Sequence, residues 1–94
     1  MTLIEMTSVF TPADGSAPRS ITIRISDLRQ EPDEAWSVIV DVLGFEADEH
    51  MQVRGADWVN ALEGAALFLR EFMGGKVQSS GTITPILYFP PYPE

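Results

Sequence analysis

Cysteine is absent from the 94-residue chain, histidine occurs once, and lysine and arginine together number only six. The first absence excludes a disulfide framework, a thiolate metal site and a cysteine nucleophile, and it suits a reducing cytoplasm. A lone His50 excludes the paired-histidine zinc sites. Basic residues are outnumbered by fourteen acidic ones, for a net charge of −8. That field repels a phosphate backbone, so no nucleic acid is expected as a partner, whereas a basic protein would be attracted. Surplus carboxylates also simply keep a chain in solution.

Long apolar runs are missing too. None approaches the roughly 18 residues of a membrane span. Near the start, Glu5 interrupts Leu3, Ile4, Met6, Val9 and Phe10, and no basic residue precedes them, so neither a signal peptide nor a membrane partner is expected. With 45% hydrophobic residues the chain can still bury one small core. One α+β domain is expected over residues 1–89, followed by a Pro-rich tail at 90–94.

The pattern of the chain reads as an antiparallel sheet with one helix on one face. Residues 2–10 are β-prone, and Pro12, Asp14, Gly15, Ser16 and Pro18 supply turn chemistry after them. Ile21, Ile23 and Ile25 then alternate with Thr22, Arg24 and Ser26, the period of a strand over 20–27. Residues 36–43 and 50–54 give two more strands, joined by short connections that imply a meander. A further strand is possible at 82–89, where Pro85 is tolerable at a sheet edge.

Asp57 offers a side-chain cap for a helix over 57–73, and Gly74-Gly75 reads as its stop. Trp58, Val59, Ala61, Leu62, Ala65, Ala66, Phe68, Leu69, Phe72 and Met73 fill about half its circumference at helical spacing. Gly64 and Leu67 fall on the polar side, where Gly64, Leu67, Phe68 and Glu71 share adjoining turns. They make a candidate interface, a shallow notch for the tail, a partner or a second copy of the chain. The plainer reading is one exposed leucine.

Chemistry-bearing motifs are scarce. The serines have no Gly-x-Ser-x-Gly elbow, and Gly74-Gly75-Lys76 lacks the spacing of a phosphate loop. Asp48-Glu49-His50 reads as a solvated turn in preference to a metal site. No catalytic residue, metal ligand or cofactor is assigned. Asp27, Glu31, Asp33 and Glu34 form a candidate acidic rim at one end of the sheet, with the 11–19 and 44–49 loops at the other end. Trp36, Trp58 and Tyr88 could line a pocket between sheet and helix, although aromatic residues in so small a protein more often build core.

The segment Gly55-Ala56-Asp57-Trp58-Val59-Asn60-Ala61-Leu62 resembles a family of small uncharacterised bacterial domains, domains of unknown function, in which strands precede Gly-x-Asp-x-x-Gln-Ala-Leu at a helix opening and a glycine-led strand and a proline follow. The tryptophan-led strand at Trp36 and the segment Gly81–Pro90 also fit, so the resemblance covers most of residues 20–90. Asn60 stands where that pattern has glutamine. The resemblance implies a bacterial source and this α+β architecture, and it supplies no functional residues. The expectation for function is a non-catalytic protein-interaction module, such as an immunity- or antitoxin-like acidic binder of a basic partner. The alternative is a small-ligand-binding or enzymatic domain, and a homodimer is compatible with both.

Overall fold

The computed structural model describes residues 1–84. The elements run β1 (Thr2–Pro12), β2 (Arg19–Gln30), β3 (Trp36–Leu43), β4 (Glu49–Gly55), α1 (Trp58–Ser80) and β5 (Gly81–Thr84). All five strands form one antiparallel sheet in the order β4-β3-β2-β1-β5. The first four make the expected meander. Helix α1 then carries the chain back from the β4 edge, so that β5 joins the opposite edge beside β1. Of the strand expected at 82–89, Gly81–Thr84 is present and the remainder, with the tail, lies outside the described residues.

Alternation in β2 sets the two faces of the sheet. Ile21, Ile23 and Ile25 are buried, and Ile23 and Ile25 stand beside Val42 and Val40 of β3. Thr22, Arg24 and Ser26 therefore point to the other face. Strand β2 reaches Gln30, three residues past the end expected from the alternation, because a register shift between Ser26 and Arg29 re-phases it. Asp27 sits in that bulge at a φ of 55°, a conformation aspartate tolerates better than most residues. Beyond the bulge, Leu28 turns to the core with Trp36 and Val53.

The helix opens as expected. Asp57 Oδ1 accepts from the Asn60 backbone N–H at 2.7 Å, and Asn60 Oδ1 accepts from that of Ala56 at 2.9 Å. Its end differs: Gly74-Gly75 does not stop it, and the helix continues to Ser80. Neither glycine takes the positive φ of a helix stop; the glycines that have one are Gly15 and Gly44. Glycine in a helix costs about 1 kcal/mol relative to alanine. Burial of Met73 on one side and the seat of Lys76 over two aromatic rings on the other offset that cost.

The buried stripe is narrower than the apolar half-circumference. Ala61, Ala65, Leu69 and Met73 are buried, with Leu62, Phe68 and Phe72 half-buried beside them. Trp58, Val59 and Ala66 are exposed instead. Alanines at 61 and 65 let the helix axis approach the sheet closely. At Gly64 a side chain would meet Val53 Cγ1 at 2.8 Å. The space over Gly64 is thus taken by the sheet, which fills the notch expected there.

Candidate functional site

On the helix-covered face the sheet is apolar; the opposite face carries one line of charge across four strands. Glu5, Arg24, Asp41 and His50 stand directly beside one another in register. Arg24 Nε donates to Glu5 Oε1 at 2.8 Å, which raises the arginine pKa, and Arg24 Nη1 lies 3.6 Å from Asp41 Oδ2. His50 Nδ1 meets Asp41 Oδ1 at 2.6 Å. Asp41 is buried beneath these two neighbours, whereas His50 is exposed. An aspartate orienting a histidine is half of a general-base arrangement. Among the described residues no hydroxyl is hydrogen-bonded to His50, and no group of three potential ligands gathers for a metal ion.

The candidate acidic rim is brought together at one end of the sheet, and it is largely neutralised there. Asp27 takes the N-terminal ammonium at 2.6 Å, and that hydrogen bond holds its carboxyl below the ordinary value of 3.8. Glu31 accepts from Ser37, Arg29 and Gln52. The Ser37 hydroxyl is the main reason its pKa lies below 4.5, with Arg29 assisting. Asp33 pairs with Arg54. Glu34, held at a φ of 72°, has no ion pair among the described residues.

The remaining sequence candidates scatter. Leu67 is 46% exposed on the outer side of α1, Glu71 is exposed, and Phe68 is turned inward and stacks on Phe72 at 5.7 Å between centroids. Trp36 is half-buried against the core, Trp58 is 51% exposed at the helix start, and Tyr88 lies outside the described residues. Neither Trp36 nor Trp58 is among the residues that line the cleft at the other end of the sheet.

A cleft of about 500 Å³ opens at the other end of the sheet, lined by Phe10, Pro12, Ala13, Asp14, Ser16, Arg19, Phe45, Glu46 and Lys76. Its floor is an aromatic series. Phe10 meets Phe45 edge-on at 5.0 Å, and Phe45 meets Phe72 at 5.9 Å. Lys76 Nζ lies 5.0 Å from the Phe45 centroid and 5.6 Å from that of Phe72. Gly44, at a φ of 108°, turns the chain into Phe45 and passes so close to the Ser20 carbonyl that no side chain fits. Its own carbonyl accepts from Arg19 Nη1 at 3.5 Å. Asp14 is held below 3.8 chiefly by hydrogen bonds from Ser16, with the charge of Arg19 adding to them.

Sequence reasoning identified none of these cleft residues as a site. Phe10, Arg19, Phe45 and Lys76 come from four separate segments, and reading Gly74-Gly75 as a helix stop detached Lys76 from the fold. The available signal was the longer helix, whose spacing of four carries Phe72 to Lys76.

One strand edge is also notable. Residues 9–12 of β1 pair with β5, whereas Thr2–Ser8 have β2 on one side and no strand on the other among the described residues. Leu3, Ile4 and Met6 on that stretch are 41%, 55% and 37% exposed. Among the described residues no helix is long and apolar enough to cross a membrane. Comparison with known protein families, curated proteins and solved structures finds no match to the chain.

Proposed function

We propose that the protein is a non-catalytic interaction module, an acidic binder of a basic protein partner in the manner of an immunity protein or antitoxin. The observation that carries this reading is the β1 edge. Among the described residues no strand pairs with the outer side of Thr2–Ser8, whose backbone N–H and C=O groups offer a template for strand addition, with Ile4 and Met6 providing apolar anchors beside it. Charge selects the sign of the partner. Arg24, Arg29 and Arg54 are paired within the chain, while Glu34, Glu46, Glu49, Glu63 and Glu71 form no ion pair among the described residues. The uncompensated field is therefore negative and steers a basic surface inward.

The test is affinity capture from a bacterial host extract, followed by titration of the captured protein with wild type and with the double variant Ile4→Thr/Met6→Thr. Threonine keeps strand propensity while removing the apolar anchors. The expected result is a basic partner whose affinity falls at least about tenfold in the variant and weakens with added salt. A partner bound equally by the variant, or the absence of any basic partner, would sink the proposal.

A further inference from the structure

We infer that the cleft at the β1–β2 and β3–β4 turns is a binding site for a small zwitterion bearing one ring, of the aromatic amino-acid class. The inference is independent of the partner docking at β1, because none of Thr2–Ser8 lines the cleft.

The charges lining the cleft differ from the charges elsewhere on the molecule. Every other arginine with an ion pair on the described surface spends it on a carboxylate of its own chain: Arg24 on Glu5 and Asp41, Arg29 on Glu31, Arg54 on Asp33. Arg19 and Lys76 do not. Arg19 donates to a backbone carbonyl, and Lys76 rests over two phenylalanine rings. Both line the same cleft. In a chain with only six basic residues, two cations that have no carboxylate in ion-pair contact among the described residues make, at one concavity, a place where a carboxylate ligand gains charge-assisted hydrogen bonds.

A simple anion does not fit the whole lining. Asp14 and Glu46 also face the cleft, and the protein as a whole is strongly negative. The Asp14 carboxyl is kept ionised by Ser16 and Arg19. A ligand with both an ammonium and a carboxylate satisfies both signs, and it crosses the negative field without net repulsion. The accessible apolar part of the lining, Pro12 and Ala13 above the buried Phe10 and Phe45, gives a ring something to rest on. The volume of about 500 Å³ falls within the range of small-molecule sites. The site is also held in shape before a ligand arrives. Gly44 is locked against Ser20, and the edge-on Phe10–Phe45 pair fixes the floor.

The experiment is a titration of the full chain with L-phenylalanine, followed by backbone amide shifts in two-dimensional NMR and by calorimetry. N-acetyl-phenylalanine, which lacks the ammonium, and phenylalanine amide, which lacks the carboxylate, form the second and third arms. The expected result is saturable shifts at Ser16, Arg19, Phe45 and Lys76 with L-phenylalanine, and binding at least about tenfold weaker for each blocked form. Lys76→Met and Arg19→Met should each weaken L-phenylalanine about tenfold while leaving the thermal midpoint within a few degrees. Arg54→Met, far from the cleft, should leave binding unchanged. No saturable shift with L-phenylalanine overturns the inference, as does equal binding of all three compounds. Tighter binding of the N-acetyl form would make the cleft an anion site and overturn it as well. If a variant melts far below wild type, the blocked-ligand series on the wild-type chain still decides.

Discussion

At the end of the sheet where β2 passes into β3, every acidic side chain but Glu34 has a donor of its own: Asp27 the N-terminal ammonium, Glu31 the Ser37 hydroxyl and Arg29, Asp33 the Arg54 guanidinium. At the opposite end, Asp14 accepts only from its near neighbour Ser16 and Asp48 from the Gly44 backbone N–H, Glu46 has no ion pair among the described residues, and Arg19 and Lys76 bond to a carbonyl and to rings. Both ends look alike in composition, acidic loops between strands. They differ in how far charge is satisfied within the chain. Internal pairing makes the first end a fastening and leaves the second with charges to offer a ligand.

If the open end is a preformed cleft and not a slack turn, its backbone should tolerate change badly. Gly44→Ala places a Cβ against the Ser20 carbonyl and demands a φ of 108° from a residue that avoids it. Clash and strain together should cost about 3 kcal/mol, lowering the melting midpoint by roughly 10 °C or more. A midpoint within 2–3 °C of wild type, by the same rough conversion, would show the turn to be adaptable.

The next effect belongs to the helix–sheet seam nearer the fastened end. Gly64→Ala gains up to about 1 kcal/mol of helix propensity but drives a methyl into Val53, whose branched side chain has little freedom to move away. A net loss of about 1 kcal/mol is expected by denaturant titration. In a Val53→Ala background the same substitution should become stabilising. A loss of equal size in both backgrounds would remove Val53 from the account.

At the fastened end itself, Glu34 is the exception among the acids and also sits at a φ of 72°. Glu34→Gly relieves that conformation and should raise stability by up to about 1 kcal/mol. It should leave partner binding at β1 unchanged, since the rim is not the proposed contact. Stability lowered by the glycine would mean that the Glu34 side chain contributes more than its geometry suggests.

The meander was legible because its signals are local. Ile21, Ile23 and Ile25 alternate, the 11–18 segment carries turn residues, and Asp57 caps its helix by accepting from the N–H three residues on. The helix end was not, because Gly74-Gly75 is locally a stop, and only contacts made by Met73 and Lys76 with distant residues overrule it. The rim could be placed from sequence, but its neutralisation could not. The partners of Asp27 and Asp33 are 26 and 21 positions away and meet them only once the strands are in register. At Gly64 a missing side chain reads as a vacancy in the sequence, and only the fold sets Val53 opposite it. The cleft drew on four segments, and no spacing within one of them announced it.

Acid titration gives the smallest effect and the most direct comparison of the two ends. Asp27 and Glu31 at the fastened end, and Asp14 at the open one, all have pKa values lowered by hydrogen bonds in the folded chain. A lowered folded pKa means that the unfolded chain binds the proton more readily. The stability these groups supply is therefore present above their unfolded values, 4.5 for Glu31 and 3.8 for the aspartates, and is lost as pH falls through the lower folded values. The melting midpoint should be flat from pH 7 to about 5 as far as these groups are concerned, then decline toward pH 3. Exposure and salt keep the decline shallow. Glu31→Gln should flatten it most, since its carboxylate serves Ser37, Arg29 and Gln52 at once, and Asp27→Asn should do so next. Asp14→Asn retains an oxygen that can accept from Ser16 and should flatten it least. If Asp14→Asn instead removed most of the acid sensitivity, the open end would be the one fastened by its charges, and the contrast between the two ends would have to be reversed.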